Sequence, residues 1–194
     1  MSPLEIVAAL FGVVSVFLSV RQNIWSWPTA IVNVGLYIVI FGEARLYADA
    51  GLQVVYVVLN AYGWYHWLYG GKNRTELPVT RTSLRLWGIL AAIGVAGSVL
   101  LGTFLARFTP DPLPYLDAST TATSLIAQWM MTRKLLENWI IWVAVDVFYI
   151  GIYISRSLQV TAVLYLVFLL LSAFGYVQWR RSEAEQAAKG PLPA

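Results

Sequence analysis

The sequence predicts an all-α polytopic membrane protein with seven transmembrane helices in a three-plus-one-plus-three parallel repeat. Three observations carry that prediction. The 194 residues are 59% hydrophobic and only 12% charged, with a mean hydropathy of +0.66. A soluble domain has about a quarter charged residues, so this chain has too little polar surface to cover itself in water. Its apolar residues also fall into seven runs near the ~20 residues that cross a bilayer core as helix. Finally, short aromatic motifs recur at equivalent ends of those runs.

The runs are residues 3–20, 24–41, 49–69, 84–105, 115–132, 136–155 and 158–179. The first starts MSPLEIVAAL, without the basic leader of a signal peptide, and is expected to be kept as a span. The second opens on Trp25, Trp27 and Pro28, and proline is tolerated in a first helical turn. The third ends NAYGWYHW and the seventh SAFGYVQW. The fourth, LWGILAAIGVAGSVLLGTF, is almost free of polar side chains, whereas DASTTATS makes the fifth the most polar. The sixth contains ENWIIWVAVD, two tryptophans and an acid in an otherwise apolar stretch. The closing SEAEQAAKGPLPA is polar and expected to be flexible.

Basic residues orient the spans. One side carries Arg21, Lys72, Arg74, Arg81, Arg85, Arg133, Lys134, Arg180, Arg181 and Lys189, and the other only Arg45, Arg107 and Arg156. The richer side is expected to be cytoplasmic, with the N-terminus outside and the C-terminus inside. Asn60–Trp67 and Ser172–Trp179 fit one eight-residue pattern, and Asn23 and Trp27 share their spacing with Asn138 and Trp142. The repeat then divides the chain into a first triplet (1–69), a linker helix with its loops (70–110), a second triplet (111–181) and a tail (182–194). Parallel repeats are common in transporters, with the site between repeats near mid-membrane.

Helical phase places candidate site residues. In the sixth run Trp139, Trp142, Asp146, Tyr149 and Tyr153 fall within an arc of about 80°. An aspartate at the centre of a span costs about 2.5–3.5 kcal/mol on insertion scales, so Asp146 must face protein or water and carries its stripe with it. Ser26, Thr29, Asn33 and Tyr37 share a face in the second run, Gln53, Tyr56, Asn60 and Trp67 in the third, and Asp117, Thr121, Ser124 and Gln128 in the fifth, with Asn33 and Asn60 at mid-depth. A polar lumen between runs two, three, five and six explains why run four has no such stripe. Blander roles compete: an interfacial belt for Trp139, packing for Trp142, interhelical hydrogen bonds for Asn33 and Asn60, a structural partner for Asp146, and solvation for Asp117 and Glu137. Gly35, Gly63, Gly151 and Gly175 are expected to allow close helix approach.

Two tryptophans beside a carboxylate suit a flat cation: the ring faces attract positive charge, the carboxylate balances it, and the amides take up hydroxyls. Other chemistries are disfavoured. There is no cysteine and one histidine, which excludes thiol chemistry, disulfides and clustered metal ligands. No Ser/His pair, catalytic carboxylate spacing or phosphate-cradling loop marks an enzyme, so no catalytic residue, metal or cofactor is expected. No basic stripe interleaved with aromatics marks a nucleic-acid face.

The stretch LLENWIIWVAVDVFYIGIYISRSLQVTAVLYLVFLLLSAFGYVQWRR resembles the PnuC family of bacterial nicotinamide riboside transporters, and includes that family's W-x-x-W motif as Trp139 and Trp142. The segment WPTAIVNVGLYIVIFGEARLYADAGLQVVYVVLNAYGWYHWLYGGK resembles it too, so the resemblance spans Leu4 to Arg181. It implies a fold similar to SWEET sugar transporters, a homotrimer in the bacterial inner membrane, and facilitated diffusion of nicotinamide riboside trapped by a cytoplasmic kinase. It also implies that Trp139 and Trp142 contact the nicotinamide. Asn33, Asn60, Gln128, Asp146 and Tyr149 are assigned to the substrate site from depth and phase alone. Thiamine, also a flat cation, and riboflavin after it remain open as cargoes, as does a non-transporting membrane binder.

Overall fold

The structure is a computed structural model that describes residues 2–110, 113–155 and 159–188. Arg156 and Lys189, both used in the charge count, lie outside the described residues, as does the tail from 189 onward.

Seven α-helices follow one another: α1 (Pro3–Val20), α2 (Ser26–Glu43), α3 (Tyr47–Tyr69), α4 (Leu84–Phe108), α5 (Pro114–Thr132), α6 (Asn138–Ser155) and α7 (Gln159–Ala188). No strand occurs among the described residues. Local chemistry sets several of the starts. Ser2 and Glu5 form a reciprocal capping box at α1, and Ser83 accepts from the Leu86 amide at α4. By length and composition α1, α4 and residues 161–188 are each apolar enough to cross a membrane. Residues 138–154 of α6 are apolar but shorter, while α2, α3 and α5 are diluted by the polar residues expected to face a lumen. α7 runs on through Ala188, past the point where the sequence suggests that a flexible tail begins.

Neighbours in sequence pack in space: α1 on α2, α2 on α3, α4 on α5, α5 on α6 and α6 on α7. Two longer-range contacts, α1 with α7 and α3 with α5, close the bundle. α4 packs chiefly on α5 and leaves Val95, Leu100 and Phe108 more than half exposed, which suits contact with lipid.

Positions 112 residues apart adopt the same local structure. The α1–α2 turn passes through Gln22 at φ 53°, and the α5–α6 turn through Lys134 at φ 50°. This left-handed conformation ends helices and is uncommon for residues other than glycine. Gln22 donates to the Ser19 carbonyl at 2.9 Å as Lys134 does to Met131 at 3.1 Å. Trp67 Nε1 then donates to the Met131 carbonyl, and Trp179 Nε1 to the Ser19 carbonyl, each at 3.0 Å. The eight-residue pattern obeys this offset. The pairing of Asn23 and Trp27 with Asn138 and Trp142 does not: the partner of Trp27 is Trp139, and Trp142 answers to Ala30.

Residues 70–83 run across the end that carries these two turns. Leu77 donates to the Trp67 carbonyl at 3.1 Å, and Val79 is buried. Thr80 brackets the α5–α6 turn, donating to the Lys134 carbonyl at 3.1 Å and accepting from Leu136 at 2.9 Å. Glu137, expected to be solvated, instead accepts from both the backbone and the hydroxyl of Thr82. Arg81 makes a forked pair with Glu183 on the extended α7.

Candidate ligand-binding cavity

Between the helices lies a cavity of about 540 Å³, within the usual size of a small-molecule site. α2, α3, α5 and α6 line it, as the sequence predicts, but so do α1 through Gly12 and Val16 and α7 through Tyr165 and Ser172. The expected four-helix lumen therefore has six walls, and α4 stands outside it. All seven candidate residues, Trp139, Trp142, Asp146, Asn33, Asn60, Gln128 and Tyr149, line this one cavity.

They do so in different ways. Trp142 is partly buried and forms side wall, one turn below Asp146. Trp139 is 1% exposed and belongs to the floor, so it is no interfacial belt residue. Its ring lies on Gly175 and meets Trp179 edge-on at 5.4 Å. In the other half Trp27 lies on Gly63 and meets Trp67 edge-on at 5.1 Å. Trp67 and Trp179 touch each other at 5.7 Å, which joins the two sets into one row of four indoles in the order Trp27, Trp67, Trp179 and Trp139. Of the glycines expected at close approaches, Gly63 and Gly175 serve here, while Gly35 and Gly151 face open space.

The polar wall is partly tied up. Gln128 Nε2 donates to Asn60 Oδ1 at 2.8 Å, and Asn33 Nδ2 donates to the Ala8 carbonyl at 2.7 Å. Both bonds cross between helices, so the helix-joining role foreseen for the asparagines is real. Each pair keeps a carbonyl oxygen or amide N–H for a ligand. Asp146 is 4% exposed and accepts from Ser172 Oγ at 3.1 Å. Among the described residues no Lys, Arg or His pairs with it. An uncompensated buried carboxylate is costly, and a cation in the cavity would balance it. Tyr149 stacks on Tyr153, and both meet Tyr165 at 5.0–5.1 Å, giving the cavity an aromatic upper wall away from the floor.

The stripe residue Asp117 does not line the cavity, nor do Thr29 and Thr121. Ser172 and Trp27 line the cavity without standing on any of the expected stripes, while Trp67, which shares the Asn60 stripe, and Trp179 pack beneath the lining. The signal for them was present: Ser172 stands in SAFGYVQW where Asn60 stands in NAYGWYHW. Among the described residues no group of three or more His, Cys, Asp or Glu could hold a metal.

A family model described as "Nicotinamide mononucleotide transporter" matches residues 2–181. The chain belongs to this family, the PnuC transporters. It is thus a transporter rather than an enzyme, and a multi-pass membrane protein. The nicotinamide riboside transporter PnuC of Escherichia coli is 25% identical over 97% of this chain and 90% of its own length. The riboflavin/roseoflavin transporter RibM of Streptomyces davaonensis is also 25% identical, over 90% of this chain and 83% of its own. The crystal structure of the vitamin B3 transporter PnuC superposes with a TM-score of 0.75 at 24% identity, covering 94% of this chain and 82% of that one. This likeness supports the seven-helix fold.

Proposed function

We propose that this transporter carries nicotinamide riboside by facilitated diffusion, and that the riboside is retained inside by phosphorylation in the cytoplasm. The observation that carries the reading is the wall formed by Trp142 and Asp146, an indole beside a buried carboxylate that no Lys, Arg or His among the described residues balances. A pyridinium ring fits that pair in charge and shape, and its ribose hydroxyls fit the free valences of Asn33, Asn60 and Gln128. Trp139 contributes beneath the ring as floor, and Tyr149 above. The matched geometry at an offset of 112 residues supports the SWEET-like three-plus-one-plus-three parallel repeat, with cargo held between the triplets. On the charge rule the tryptophan floor lies at the cytoplasmic side of the inner membrane, and the Tyr149 end opens outward. A homotrimer belongs to the same reading.

One observation favours a second cargo class, since the similar RibM is named for riboflavin and roseoflavin. Calorimetry of the purified protein with nicotinamide riboside, thiamine and riboflavin separates the possibilities. Saturable binding of the riboside alone, followed by its uptake into proteoliposomes above empty controls, is the expected outcome. Binding of thiamine or the neutral flavin in its place would overturn the assignment. Saturable riboside binding without flux would leave a binder, not a carrier.

A further inference from the structure

Beneath the cavity floor a second feature is built for positive charge. Lys134, in the turn between α5 and α6, is 5% exposed, and its Nζ sits 4.6 Å from the ring centroid of Trp67. Its backbone holds a left-handed conformation, and its carbonyl accepts from Thr80 at 3.1 Å, so the backbone is anchored and the side chain is the part that can turn. Trp67 is the floor tryptophan that meets both Trp27 and Trp179, and thus stands at the join of the two halves. The matched position in the first half is Gln22, which is uncharged, so only one half supplies this cation.

We propose that the face of Trp67 is a second cation-binding station on the inward path, occupied at rest by the Lys134 ammonium as a tethered stand-in for the cargo. This rests on the reading of the cargo as a flat cation. The aromatic face that attracts an ammonium attracts a pyridinium by the same quadrupole, so cargo leaving the cavity and Lys134 compete for it. While Lys134 is seated the floor is closed. When the cargo cation takes its place, the floor opens inward and Lys134 turns out toward water.

The floor itself favours such exchange. Ser26 Oγ, Trp27 Nε1 and Trp139 Nε1 line the cavity end, are buried, and have no hydrogen-bond partner. Buried polar groups are rarely left unpaired. Opening the floor gives all three water or cargo to bond with. The closed state is therefore penalised from within and is held by its indole contacts and by Lys134.

Burial lowers the Lys134 ammonium to about 8, with Glu76 of the linker acting weakly to keep it charged. Other charges nearby are engaged elsewhere. Arg133 is held by His66 at 3.0 Å and Trp129, Glu137 by Thr82, and Glu183 by Arg81. The latch is thus charged and seated below about pH 8, and neutral and loosened above it.

N-methylpyridinium, which has the cationic ring and nothing else, is the probe for the station, and riboside counterflow across proteoliposomes is the probe for exchange. At about pH 7 wild type is expected to bind one equivalent of the pyridinium and Lys134→Met two, with counterflow in the variant about tenfold faster. Lys134→Arg keeps the cation and should match wild type. Raising wild type to about pH 10 should reproduce Lys134→Met, which itself stays flat over that range. One equivalent and unchanged counterflow in Lys134→Met overturn the proposal, as does Lys134→Arg behaving like Lys134→Met. If Lys134→Met does not fold, the wild-type titration decides, and unchanged stoichiometry across it is fatal. Absence of pyridinium binding altogether is equally so. If wild type binds the pyridinium but neither binds nor carries the riboside, the cargo assignment fails while the station is still decided by stoichiometry.

Discussion

Trp142 and Asp146 were legible in the sequence because a charge inside a span has so few explanations. Their neighbour Trp139 shows where that logic stops. Helical phase puts it on the same stripe, but only the packing of Gly175 and Trp179 against its ring assigns it to the floor. The two tryptophans should therefore fail differently. Trp142→Ala should weaken riboside binding at least tenfold, the loss of about 2 kcal/mol of desolvated cation–π attraction, with a smaller fall in melting temperature than Trp139→Ala because its ring is only partly buried. Trp139→Ala removes a fully buried ring and should cost about 3–5 kcal/mol of stability as well. Calorimetry and thermal melts on both variants separate the roles, and equal melting temperatures would contradict the floor assignment. For Asp146→Asn the expected signature is charge-selective: weaker binding of the cationic riboside but not of its uncharged dihydropyridine form. Equal loss for both ligands would mean that Asp146 shapes the site without balancing charge.

At the scale of the element, the seven helices followed from run length, and most boundaries agree to within a few residues. What the sequence could not reveal was register between helices. Asn23 and Trp27 look like Asn138 and Trp142 by spacing alone, yet the backbone turns at Gln22 and Lys134 fix Trp27 opposite Trp139 in the repeat. Likewise the four glycines looked alike on paper. A Cβ on Gly175 would come within 2.6 Å of the Trp139 ring, and one on Gly63 would drive into Trp27, whereas Gly35 and Gly151 have nothing within 4 Å. Gly63→Ala and Gly175→Ala should each cost about 1–3 kcal/mol through overpacking. Gly35→Ala and Gly151→Ala should be neutral or slightly stabilising in helices. Thermal melts of the four variants in detergent check this, and a uniform effect would show that the floor packing is not the constraint.

For the whole molecule, the cavity is built from matched positions that differ in chemistry. Gln128, Trp142 and Asp146 in the second half answer to Val16, Ala30 and Val34 in the first, and all six line the cavity. One wall thus carries an amide, an indole and a carboxylate where the other carries only aliphatic side chains. Spacing alone hid this asymmetry by pairing Trp142 with Trp27, although the offset of the eight-residue pattern already makes Ala30 its counterpart. The asymmetry makes position 30 a volume limit. Ala30→Trp should fill the space opposite Trp142 and abolish riboside binding while leaving the fold intact, since the added ring enters an existing cavity. The double variant Ala30→Trp/Trp142→Ala restores the volume and moves the indole to the opposite wall. On the parallel-repeat reading that wall is geometrically equivalent, so the double variant should bind the riboside more tightly than Ala30→Trp alone. Recovery should stay partial, because Asp146 remains on the original side and holds the cation off-centre from the relocated ring. If the double variant binds no better than Ala30→Trp, the two walls are not interchangeable, and the repeat governs only the packing of the helices.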